Sequence, residues 1–152
     1  MYTVSSVLLA LLPIASAHFE LRFPAARSSD DTNQASFPCG GHDEVAERTP
    51  VSLESLALDM ELGHTENFVS VFIAIGNEPG SAFNTALWPT VREEGPGDFC
   101  WASIPIPANL TIEEGTNATI QVITNGHDGT GLYNVSHIPL CIPPLLPPKP
   151  QN

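Results

Sequence analysis

Five histidines and three cysteines are the residues of this 152-residue chain best suited to metal or redox chemistry. Position singles out His18. It follows Ala15-Ser16-Ala17, the small-x-small pattern that signal peptidase reads, behind the short apolar run from Val7 to Leu12. Residues 1–17 are therefore expected to be a secretory signal, despite an n-region without Lys or Arg. Cleavage after Ala17 would make His18 the first residue of the mature chain. A histidine there carries two donors, its free α-amine and its ring Nδ1, which close one chelate ring on a metal. A second imidazole opposite would complete a planar T of three nitrogens. Nitrogen donors in a tetragonal plane suit Cu(II), near the top of the affinity order for divalent metals. The α-amine titrates at about 7.7–8.0, so it yields its proton to a metal near neutral pH.

The second imidazole must come from His42, His64, His127 or His137. His64 follows Gly63 in a short connection between two strongly patterned segments, which places it at the end of a sandwich where a strand terminus could face it. His42 lies in a polar loop and His127 in a glycine-flanked turn; both read as solvated loop residues.

The elements that must position these groups are strands. Phe19, Leu21 and Phe23 alternate with polar residues, as do Leu56, Leu58, Met60 and Leu62. Residues 68–75 form an apolar, β-branched run bounded by Gly76, a central strand by pattern. Residues 82–91 fit a strand or a short helix. Residues 93–98 read as a turn, and residues 99–107 as an edge strand, because Pro105 cannot donate to a ladder. Residues 118–123 predict another strand, followed by turn signals at Asn125-Gly126 and Asp128-Gly129. Residues 25–50 read as one long loop fixed by Cys39. No segment carries a helical period, so the expected fold is all-β, a two-sheet sandwich.

Composition narrows the partners. The net charge is −12, with only four Arg and one Lys, which disfavours nucleic acid and polybasic membrane docking and favours cations. Secretion implies an oxidising compartment, so Cys100 reads as half of a disulfide, with Cys39 one possible partner. The odd count (Cys39, Cys100, Cys141) leaves one thiol over or one partner missing. Asn109, Asn117 and Asn134 head glycosylation sequons. The acidic pairs Asp43/Glu44 and Glu93/Glu94 read as solvated, and no nucleophile elbow, P-loop or H-E-x-x-H is present.

An ordered set of residues resembles a known family. It comprises His18-Phe19-Glu20-Leu21 with Pro24 and Arg27, Pro38-Cys39-Gly40-Gly41, Arg48-Thr49, His64 ahead of Val69-Ser70-Val71, and Phe99-Cys100. It continues with Gly115, the run from Asn117 to Val122, and Gly131-Leu132-Tyr133. The set is similar to the fungal copper acquisition factor-like proteins, relatives in fold of lytic polysaccharide monooxygenases. The resemblance implies an immunoglobulin-like or fibronectin III-like β-sandwich over residues 18–134. It further implies one Cu(II) held by His18 and His64, a cell-surface role in copper homeostasis with a copper transporter as recipient, and a GPI anchor. Family members generally lack polysaccharide cleavage; a copper-dependent monooxygenase is the alternative reading.

The pattern departs from the family after Asn134. There the family continues Cys-Ala-Asp-Ile, with the Asp as third copper ligand; here Val135 and His137 take the Cys and Asp positions. The fungal splice-donor sequence GTAAGT, read in frame, encodes Val-Ser. Residues 135–152 are accordingly expected to be an intron-derived tail, whose last 14 residues, Pro139 to Asn152, are too Pro-rich for a central strand and unsuited to a transmembrane helix or GPI signal.

Overall fold

The computed structural model describes residues 18–126 and 129–141. Every regular element among them is a strand: β1 (Phe19–Phe23), β2 (Val51–Ser52), β3 (Ser55–Leu62), β4 (Glu66–Ile75), β5 (Thr85–Glu94), β6 (Gly97–Pro105), β7 (Asn117–Asn125) and β8 (Gly131–Cys141). They form two sheets, β1-β3-β6 and β2-β8-β7-β4-β5. The expected sandwich is therefore present, and the ambiguous segment at 82–91 resolves as β5. As the edge strand beside β4, β5 tolerates Pro89, and an extra residue enters its ladder between Trp88 and Val91.

The core follows from the alternation. Leu56, Leu58, Met60 and Leu62 of β3 are fully buried and face Val69, Val71, Ile73, Ile120 and Val122 of the other sheet. In β1, Phe19 and Leu21 enter this core, but Phe23 does not. The register shifts between Leu21 and Phe23, and this bulge turns Phe23 outward.

The boundary expected at residue 134 is corrected. β8 crosses it and runs to Cys141, paired with β7 from Gly131 to Pro139 and with β2 at Leu140 and Cys141. Ile138 and Leu140 fill the inter-sheet core, while Val135 packs with Cys39, Ala74 and Phe83 on the outer face of the sheet. Residues 142–152 lie outside the described residues. The proline argument fails for a geometric reason. Val135, His137 and Cys141 direct their carbonyls away from β7, to the N–H groups of Arg27, Thr49 and Leu53. Pro139 shares that parity, so its missing N–H falls on the loop side and no β7 bond is lost.

The cysteines are also corrected. Cys39, Cys100 and Cys141 are all free thiols. Cys39 lies under the loop on the five-stranded sheet, whereas Cys100 is exposed on β6 of the other sheet, so that pairing is not made. Burial pushes the Cys39 thiol above its ordinary pKa.

Candidate metal centre

Register brings the two sequence-predicted ligands to one end of the sandwich. β1 and β3 are antiparallel with Phe19 opposite Leu62. His18 therefore stands where the ladder meets Gly63, with His64 next in the chain. His18 opens onto a cleft of about 300 Å³, whose wall includes Glu20, Asp30, Asp31, Glu61, Gly63 and Asn134. Among the described residues its wall holds four carboxylates and no Arg, a lining that attracts cations. Its Nδ1 lies 3.4 Å from Asp31 Oδ2.

The backbone carrying His18 is clamped by a residue that sequence patterning passed over. Gln34 is buried; its Oε1 accepts from Phe19 N at 3.2 Å and its Nε2 donates to Phe19 O at 2.6 Å. The Gln34 carbonyl in turn accepts from Tyr133 N at 2.8 Å, tying the clamp to β8. A polar residue in an apparently featureless loop gave no signal except its isolation from any apolar pattern. Arg22 braces the same strand from the other side, bonding Asp98, Glu61 and Glu20.

His64 is buried rather than exposed on the cleft wall. Its carbonyl accepts from Asn67 Nδ2 at 2.8 Å, and its Nδ1 lies 3.5 Å from Asn125 Nδ2. Asn125 also spans β4, accepting from Phe68 N at 2.7 Å and donating to Glu66 O at 3.2 Å. A Cβ at Gly95 would come within 2.7 Å of the His64 carbonyl, so glycine is what lets the β5–β6 turn close over this connection. Among the described residues, no three His, Cys, Asp or Glu side chains already form a cage. The donor set suits copper only when the α-amine of His18 is counted with the two imidazoles, which is the chemistry that processing at Ala17 would supply.

The remaining histidines are disposed differently. His42 is half-buried and donates from Nε2 to Asp30 O at 2.7 Å, so it braces the loop instead of being solvated. His127 lies outside the described residues. His137 is fully buried three residues beyond Asn134 on β8, and on the opposite face of the strand. Its Nε2 lies 2.8 Å from Asn77 O and 2.6 Å from Arg27 Nη2, and its Nδ1 accepts from Ala46 N at 3.3 Å. Both ring nitrogens are engaged, so position 137 supplies no ligand at the His18 cleft.

With this geometry in view, comparison with known proteins is decisive. Residues 16–142 match the family described as copper acquisition factor BIM1-like. The chain belongs to that family. Similarity to individual proteins agrees with the assignment. An uncharacterised protein of Aspergillus fumigatus is 41% identical over 136 residues, covering 86% of this chain and 56% of that protein. A lytic polysaccharide monooxygenase-like protein X325 of Yarrowia lipolytica is 30% identical over 135 residues, covering 84% and 50% respectively. The lytic polysaccharide monooxygenase-like protein ham-7 of Neurospora crassa is 28% identical over 166 residues, covering 95% and 72%. The chain thus spans about half the length of the first two relatives. Membership gives the protein a copper-related function.

Proposed function

We propose that this protein is a secreted carrier that binds one Cu(II) as cargo and buffers it at, or passes it to, the extracellular face of the plasma membrane. The amine and Nδ1 of His18 would chelate the ion, and the His64 imidazole would close the set. The observation that carries this reading is the β1–β3 register, which brings the residue behind the expected cleavage site beside Gly63, one position ahead of the buried His64, at an acidic cleft. The surrounding carboxylates would concentrate Cu²⁺ by a long-range attraction that salt weakens. Neutral imidazole and deprotonated amine are both required, so affinity should fall as the medium is acidified.

A carrier role accords better with the cleft than oxygenase action on a polysaccharide. Among the described residues, Phe19 is the one Phe, Tyr or Trp on the cleft wall, and it is buried. Trp88 and Trp101 pair with each other at 6.4 Å, and Trp101 lies opposite Leu58, four residues from the Leu62 end of β3. The expected recipient is a cell-surface copper transporter. Of the three sequons, Asn109 sits on an exposed loop and is the preferred glycan acceptor, whereas Asn134 lines the cleft.

The test is N-terminal sequencing of the secreted protein, followed by Cu(II) titration and EPR of the wild type, His18→Ala and His64→Ala. A mature chain starting at His18, with both variants weakened, supports the carrier. A different first residue, or unchanged affinity in the variants, rejects it. Release of oxidised sugars with a reductant would instead establish the enzyme.

A further inference from the structure

The third donor expected from the family pattern does not arise at position 137, and the structure offers another. We propose that the Asp31 carboxylate is an oxygen donor to the copper ion held by His18. This rests on the copper-carrier reading above and adds a specific ligand to it.

Distance is the first argument. First-row divalent metals hold nitrogen and oxygen donors at about 2.0 Å, so two donors on one ion lie roughly 2.8 Å apart at right angles and 4 Å apart when opposite. The 3.4 Å from His18 Nδ1 to Asp31 Oδ2 falls inside that span. The ring nitrogen involved is the one that closes the chelate with the amine.

The second argument compares the carboxylates of the cleft. Asp30 Oδ1 is committed to its own turn, accepting from Thr32 N at 3.0 Å and Thr32 Oγ1 at 2.6 Å, bonds that hold its carboxyl below the usual range. Glu20 and Glu61 are held by Arg22, Glu20 at 3.6 Å from its Nε. Asp31 lies against His18, and among the described residues no arginine or hydroxyl competes for its carboxylate.

The third argument is how the carboxylate is delivered. Gln34 N donates to Asp31 O at 3.1 Å, so Asp31 begins the turn that ends at the clamp on Phe19. A single turn thus fixes the backbone beside His18 and sets a carboxylate against its ring. Binding Cu²⁺ there replaces a histidine–carboxylate contact by two metal bonds. One negative charge added to neutral nitrogen donors also partly offsets the dication.

Asp31→Asn tests this, with Asp30→Asn as the neighbouring charge control and His18→Ala as the control for the carrier reading. Asp31 is half exposed, so the variant should fold, which circular dichroism can verify. The expected result is a loss of Cu(II) affinity of about tenfold or more in Asp31→Asn, with altered g and copper hyperfine values in EPR. Asp30→Asn should keep the wild-type spectrum. Wild-type EPR parameters in Asp31→Asn would overturn the proposal whatever the affinity, because a through-space charge effect weakens binding without changing the ligand set. If the wild type binds no Cu(II), or His18→Ala binds as well as wild type, the carrier reading fails first and takes this assignment with it.

Discussion

Two histidines with charged neighbours occupy separate parts of this sandwich, and their surroundings are of opposite sign. His18 is partly exposed at the lip of a cleft walled by carboxylates. His137 is fully buried among Arg27, the Asn77 carbonyl and the Ala46 amide, with Arg48 bridged to it through the backbone. The first environment supplies negative charge and open space to a cation. The second is rich in donors: Arg27 Nε and Arg48 Nε are buried without hydrogen-bond partners, and an imidazole offers them at most one lone pair. Residue type therefore says little about what a histidine can serve; the balance of acceptors and donors around the ring sets its surroundings apart.

The comparison can be broken at several points. The largest effect is expected at the cleft. His18→Ala should lower Cu(II) affinity by about 100-fold or more, close to 3 kcal/mol, whereas His137→Asn should leave it unchanged; equal effects in a titration would erase the distinction. Next comes Gly40, which joins the two regions through the loop. Its φ is +65° and a Cβ there would run into the Tyr133 carbonyl of β8. Gly40→Ala should destabilise the fold by roughly 2–4 kcal/mol, the sum of left-handed strain and steric conflict, read by urea denaturation.

A smaller gain is expected from repairing the donor excess. His137→Asp places a carboxylate beside the Arg27 guanidinium and should stabilise the protein by about 1–3 kcal/mol, visible as a higher melting midpoint; a loss would show that desolvation of the carboxylate dominates. The smallest effect is on pH. Burial, followed by the charges of Arg27 and Arg48, lowers the His137 pKa below 6.5, despite the opposing bond to Asn77. The unfolded chain then binds a proton that the folded one refuses. Stability due to this group is constant above about pH 6.5 and falls as pH drops from there to the folded pKa, by at most ~1.4 kcal/mol per unit. His137→Asn should flatten that part of the profile.

Much of the architecture was legible because alternation is local. Leu56, Leu58, Met60 and Leu62 declare a strand and its buried face without reference to any partner, and Pro105 marks an edge. The errors were of another kind. Phe23 left the core through a bulge that no period predicts. β8 absorbed Pro139 because of the direction in which one N–H slot points, a property of register rather than composition. Gln34 and Asn125 were invisible as polar loop and turn residues, yet the side chain of each satisfies one backbone N–H and one backbone carbonyl at the end of the sandwich.

From its sequence alone the chain specifies an all-β sandwich, an acidic surface, and a histidine set immediately behind a signal-type cleavage pattern. These are properties of single residues and short periods, written into the chain directly. Tertiary structure alone decided which side chains share a space: that Asp31 faces His18, that Gln34 grips the strand beside it, and that His137 is consumed by arginines. Such meetings depend on register and strand order across residues more than 100 positions apart in the case of Arg27 and His137, and no local pattern encodes them.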